Sequence, residues 1–178
     1  MLLHPEKVRA LALFNVCGGL PMLSPGLRFW TGLNPQTALG KTLHRALIGC
    51  AAHPMMRRFQ DPLLYAAGAP DLHPALRESL KEERRDRGLR PSLYALVRGL
   101  KSFNVFSHPR EKPGNSPPVL LGWGTQNRTL DVKWAGIIAD WLAPERLYLV
   151  ENAGHMTNYE KPEEVNERLA SFWEMSGE

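Results

Sequence analysis

Two short, almost unbroken apolar runs, residues 119–123 (VLLGW) and 147–150 (LYLV), flank an amphipathic stretch near the end of this chain, and they limit its fold more than any other feature. Runs of that length and character suit strands of a parallel sheet covered on both faces. Between them the spacing predicts a helix over 132–142, with Trp134, Ile138, Trp141 and Leu142 on one stripe, Asp131 as N-cap and Pro144 beyond the end. A last helix is predicted over 162–173. Pro162 suits its first turn, Glu163 and Glu164 suit its dipole, and Val165, Leu169, Phe172 and Trp173 make its buried face. Strand, helix, strand, helix is a βαβα unit, so the fold class is α/β.

A further strand is predicted over 8–14 (VRALALF). The stretch from 18 to 117 is helix-patterned and often broken. One stripe runs through Leu39, Leu43, Leu47 and Cys50, and another through Leu93, Leu96, Val97 and Leu100. A helical insertion between neighbouring strands reads as a cap or lid, and the Pro- and Gly-rich segment from Lys112 to Pro118 returns the chain to the sheet. The expected organisation is therefore a first core strand in 1–17, a cap in 18–117 and a βαβα core in 118–178. About three parallel strands are few for such an insertion, and the chain reads as the later part of a larger sheet.

Length and composition narrow the class. At 178 residues, 43% hydrophobic and 22% charged, the chain suits one folded domain. Its two cysteines, Cys17 and Cys50, form no C-x-x-C, which argues for a reducing, cytoplasmic setting. No secretory leader is expected, since Met1-Leu2-Leu3 runs straight into His4-Pro5-Glu6-Lys7. The uncharged run from Ala10 to Leu27 is interrupted by Asn15, Gly18, Gly19, Pro21, Ser24 and Pro25, so no membrane span is expected.

Residues 1–117 hold 17 Lys and Arg against 8 Asp and Glu, and residues 118–178 hold 5 against 10. The densest part, Arg77 to Arg90, mixes six basic with four acidic residues, which fits a solvated face rather than a nucleic-acid surface. His4, His44, His53, His73 and His108 lack zinc-ligand spacing, and no metal is expected.

In this order and spacing the pieces resemble the C-terminal part of the α/β-hydrolase fold family, over nearly the whole chain. Residues His4 to Asn15 look like the end of the helix after the nucleophile and then strand six; 18–117 look like the cap; Pro118 to Gly124 look like strand seven. Asn152-Ala-Gly-His155 followed by Glu160-Lys-Pro-Glu-Glu164 resembles the catalytic-histidine loop and the final helix. The resemblance implies cofactor-free hydrolysis of an ester-like bond in a small organic substrate. It makes His155 the base and places Asn127, in Gly124-Thr-Gln-Asn127, where the family pattern G-x-x-D puts the acid.

Two departures follow. The family's nucleophile sits in a G-x-S-x-G elbow upstream of the matched segment, and none of this chain's serines lies in such a motif. Asn can orient an imidazole but cannot balance its positive charge. Asp131 is a substitute acid whose blander role is helix capping. Cys17, just after the first strand, would complete a Cys-His-Asn set with His155 and Asn127, although no elbow surrounds it. Phe29, Trp30, Met22, Met55 and Met56 are either pocket lining or core. The expectation is a partial hydrolase, inactive alone. The alternatives are a non-catalytic interaction module and half of a split enzyme completed by an N-terminal half. Its open strand edges would favour self-association and marginal stability.

Overall fold

The computed structural model of the chain describes residues 4, 7–23, 25, 28, 29, 37–40, 42, 43, 46, 62–68, 99, 104–107 and 116–176. Strands β1 (Leu11–Phe14), β2 (Val119–Gly124) and β3 (Arg146–Val150) form one parallel sheet in the order β1-β2-β3. Helix α1 (Lys133–Leu142) connects β2 to β3, and α2 (Thr157–Glu160) and α3 (Pro162–Met175) follow β3. The architecture is the α/β one that the apolar runs require.

Every residue of β2 is buried, as a central strand flanked by parallel neighbours should be. Leu11 pairs with Val119 on one side, and Gly124 pairs with Val150 on the other. β1 is shorter than the apolar pattern suggested. Leu11 N donates to Pro118 O at 2.9 Å, and the two prolines at 117 and 118 offer no N–H to carry the ladder further back.

β3 departs from expectation in burial. Leu147 and Leu149 are 44% and 41% exposed, so among the described residues this strand is covered on one face only. The covered face carries Tyr148, whose hydroxyl donates to Glu164 of α3 and whose ring lies 4.7 Å below the Arg168 guanidinium. An alternating strand of this kind belongs to a sheet edge.

Among the described residues the core has two parts, one on each face of the sheet. On one face Leu121 and Trp123 of β2 meet Ala135 and Ile138 of α1, with Met22, Leu23 and Leu130 closing the cluster. On the other, Val150 and Ala153 meet Val165 of α3, with Phe14, Tyr148 and Leu169 against them. Trp173 is 47% exposed and leaves the buried face assigned to it. Val165, Leu169 and Phe172 complete the apolar stripe without it, and its ring stands edge-on to Phe172 at 5.9 Å.

Asp131 works at the start of α1, one residue earlier than a simple cap. The N-cap residue is Val132, and Asp131 Oδ1 accepts the Lys133 N–H at 3.0 Å. Of the long middle segment, residues 18–23 and 104–107 meet beside the sheet: Val105 N donates to Gly18 O at 2.8 Å, and Gly19 bridges Asn104. Met22 is core. Phe29 and Leu39 are exposed, while Trp30, Leu47, Cys50, Met55, Met56, Leu93, Leu96, Val97 and Leu100 lie outside the described residues. No helix among the described residues is long and apolar enough to cross a membrane.

Candidate functional site

Open parallel sheets place their ligands beyond the carboxyl ends of the strands. Here the loops leaving β2 and β3 are stitched together at that end. Thr125 N donates to Val150 O at 3.0 Å and Gln126 N to Ala153 O at 2.9 Å. The seam leaves no room for a side chain at Gly124, where a Cβ would lie 2.1 Å from Gly154 O, and residues 64–66 leave none at Gly154, where a Cβ would lie 2.6 Å from Ala66 N. This seam brings Asn127, on the loop after β2, against His155, on the loop after β3.

Asn127 Nδ2 lies 3.2 Å from His155 Nδ1. Its Oδ1 accepts the N–H groups of Thr129 and Leu130 at 3.0 and 2.9 Å, the turn that an Asn or Asp side chain makes with its following backbone. Its Nδ2 also donates to Asn15 Oδ1 at 3.0 Å. Asn15 ends β1, where its left-handed backbone, φ 48°, is one that Asn tolerates better than most residues. Its Oδ1 also accepts Gly124 N at 3.0 Å, and its Nδ2 donates to His155 O at 2.8 Å and Thr157 Oγ1 at 3.2 Å. Both asparagines are buried, and Asn15 spends its full complement of donors and acceptors on this network.

A segment from the middle of the chain covers the same seam. His155 N and Met156 N both donate to Leu64 O, at 2.8 and 3.1 Å, and Thr129 Oγ1 donates to Leu63 O at 2.7 Å. Buried Glu160 fixes it further, its two carboxylate oxygens accepting Ala66 N at 2.7 Å and Gly154 N at 2.9 Å. Burial pushes the His155 imidazole below the ordinary histidine pKa, because its charged form loses hydration.

The structure thus joins Asn127 and His155. Among the described residues, neither Asp131 nor Cys17 hydrogen-bonds the imidazole. Asp131 is exposed beside Lys133, with 3.5 Å between their charged atoms. Cys17 packs against the α1 face of the core and donates to Gly19 O at 3.5 Å. Burial raises its thiol pKa, which keeps it protonated and a poor nucleophile. Asn15 and Glu160 were not singled out by the sequence. Asn at a strand's end was the signal available for the first; a glutamate binding backbone far away in sequence leaves no pattern.

No protein-family model matches the chain, and no curated protein matches it. Solved structures do. A bacterial membrane phospholipase A, described as a virulence factor, matches with TM-score 0.63 and 23% identity over 97% of this chain and 51% of its own. An esterase from Thermogutta terrifontis matches with TM-score 0.63 and 15% identity over 97% and 58%. Carboxylesterase CesB from Bacillus subtilis matches with TM-score 0.60 and 21% identity over 97% and 53%. The chain spans about half the length of the structures it matches, and the shared feature is the α/β-hydrolase fold.

Proposed function

We propose that this chain is the histidine-bearing portion of an α/β hydrolase, a portion whose counterpart in a longer enzyme helps cleave an ester-like bond in a small organic substrate without a cofactor. By itself it turns over no substrate. The observation that carries this reading is the Asn127–His155 contact at the carboxyl ends of two adjacent parallel strands, where a triad's acid and base would stand.

In the complete reaction a nucleophile's oxygen attacks the substrate carbonyl carbon and its proton passes to the imidazole. The departing alcohol takes that proton, and water then releases the acid from the acyl-enzyme by the same route. His155 holds the base's position and Asn127 the acid's. A serine in a G-x-S-x-G elbow is not among these 178 residues and would come from another segment. A cytoplasmic setting belongs to the same reading.

One observation favours a second reading, a non-catalytic interaction module: Asn127 is an amide, with no charge to balance an imidazolium. The outer edge of β1, unpaired among the described residues, would then receive a partner's strand. Mixing the chain with a polypeptide that carries the elbow half separates the two. Hydrolysis of p-nitrophenyl butyrate that is larger for Asn127→Asp and lost in His155→Ala supports the hydrolase reading. A tight complex with no turnover in either form, indifferent to His155→Ala, supports the module.

A further inference from the structure

A general base in a triad keeps its proton on Nδ1, turned to the orienting acid, and leaves the Nε2 lone pair free for the nucleophile's proton. The surroundings of His155 are built the other way round. Two backbone N–H groups, from Thr129 and Leu130, converge on one end of the Asn127 amide. Backbone donors cannot turn into acceptors, so that end is the oxygen and the other is the NH₂.

The NH₂ end finds one acceptor in Asn15 Oδ1, and that oxygen is fixed in turn by the Gly124 N–H. Asn15 cannot invert either, because its Nδ2 donates to the His155 carbonyl. The second hydrogen of Asn127 Nδ2 therefore points at His155 Nδ1, which must accept it. In a neutral imidazole the nitrogen that accepts leaves the proton on the other.

We infer that Asn15 and Asn127 are positioning residues that hold His155 in the Nε2–H tautomer, so that Nε2 donates a hydrogen bond and has no lone pair with which to deprotonate a hydroxyl. Moving the proton to Nδ1 would set an N–H against the NH₂ of Asn127. Inverting Asn127 instead would strip the Thr129 and Leu130 N–H groups of their acceptor and set its oxygen against that of Asn15. In the serine-protease case, Asn in the acid's place leaves the geometry intact, yields the wrong tautomer and lowers kcat about 10⁴-fold.

The inference rests on the reading of His155 as the base of a hydrolase site, yet its test uses no substrate. A failed tautomer assignment leaves the hydrolase reading standing, and a failed hydrolase reading leaves the tautomer standing. The test is the ring ¹⁵N spectrum of the full chain with labelled histidine at pH 8, with His155 assigned by its loss in His155→Gln. The expected result is an unprotonated Nδ1 and a protonated Nε2, with that order reversed, or both nitrogens protonated up to a higher pH, in Asn127→Asp. A wild-type His155 with a protonated Nδ1 and a bare Nε2, or an even mixture, overturns the proposal. The wild-type spectrum decides on its own if Asn127→Asp does not fold.

Discussion

Asn127 donates a hydrogen bond to Asn15 at 3.0 Å, joining the ends of two parallel strands through side chains 112 residues apart in sequence. Asn15 is the hub of this contact, since it also binds Gly124 N, His155 O and Thr157 Oγ1. Replacing it with Ala strands buried groups where the chain leaves β2 and where it leaves β3. Each such group costs about 1–3 kcal/mol, so Asn15→Ala is expected to lose at least about 2 kcal/mol in chemical denaturation. The Gly124 amide should lose its hydrogen-exchange protection in the same variant, while a stability change under about 0.5 kcal/mol, the size of an ordinary surface substitution, would contradict the network's role.

The glycines give a paired test. Gly124→Ala drives a methyl into the Gly154 and Ala153 carbonyls, and backbone cannot move aside as a flexible side chain does. Overpacking of that kind costs about 1–3 kcal/mol or more. Gly136 lies on the exposed side of α1 with nothing near its missing Cβ, so Gly136→Ala is expected to gain about 0.5–1 kcal/mol through helix propensity. Thermal melts of the two variants should move in opposite directions.

The βαβα core was legible because its strands and helices are written in local periodicity. Residues 119–123, 132–142, 147–150 and 162–173 each fell within three residues of β2, α1, β3 and α3. What the pattern missed is set by neighbours rather than by period. Leu147 and Leu149 read as buried from their apolarity, but among the described residues only one side of β3 has a layer over it. The family's loop motifs set His155 and Asn127 on two loops, and the structure brings their side chains within 3.2 Å. The opposite sense of their hydrogen bond was not legible, because it depends on Thr129, Leu130 and Asn15 meeting one side chain in space.

Glu160 holds the 62–68 segment to the histidine loop with one carboxylate oxygen for each of two backbone N–H groups. A glutamine there can accept only one of them and turns an NH₂ toward the other. Glu160→Gln should therefore lose about 1.5–3 kcal/mol. Hydrogen exchange at Ala66 or Gly154 should accelerate well beyond that at β2 amides. Unchanged protection at both amides would refute the clamp.

Stability should also depend on pH through His155. Its folded pKa lies below the ordinary value of about 6.5, so the unfolded chain binds the proton more readily. The stabilising contribution is complete above about pH 6.5 and falls away as the pH drops toward the lowered folded value. Denaturation series across that window should show stability rising with pH, and the slope should be smaller in His155→Gln. An equal slope in both proteins would assign the dependence to other groups.

The central claim is that this chain presents an imidazole in the position of a hydrolase base but performs no hydrolysis with it. The most direct measurement is the rate of p-nitrophenyl butyrate hydrolysis by the purified chain beside its His155→Ala variant, at equal concentration and pH 8. The expected result is that both rates match each other and the uncatalysed background. A rate well above background that disappears in His155→Ala would contradict the claim.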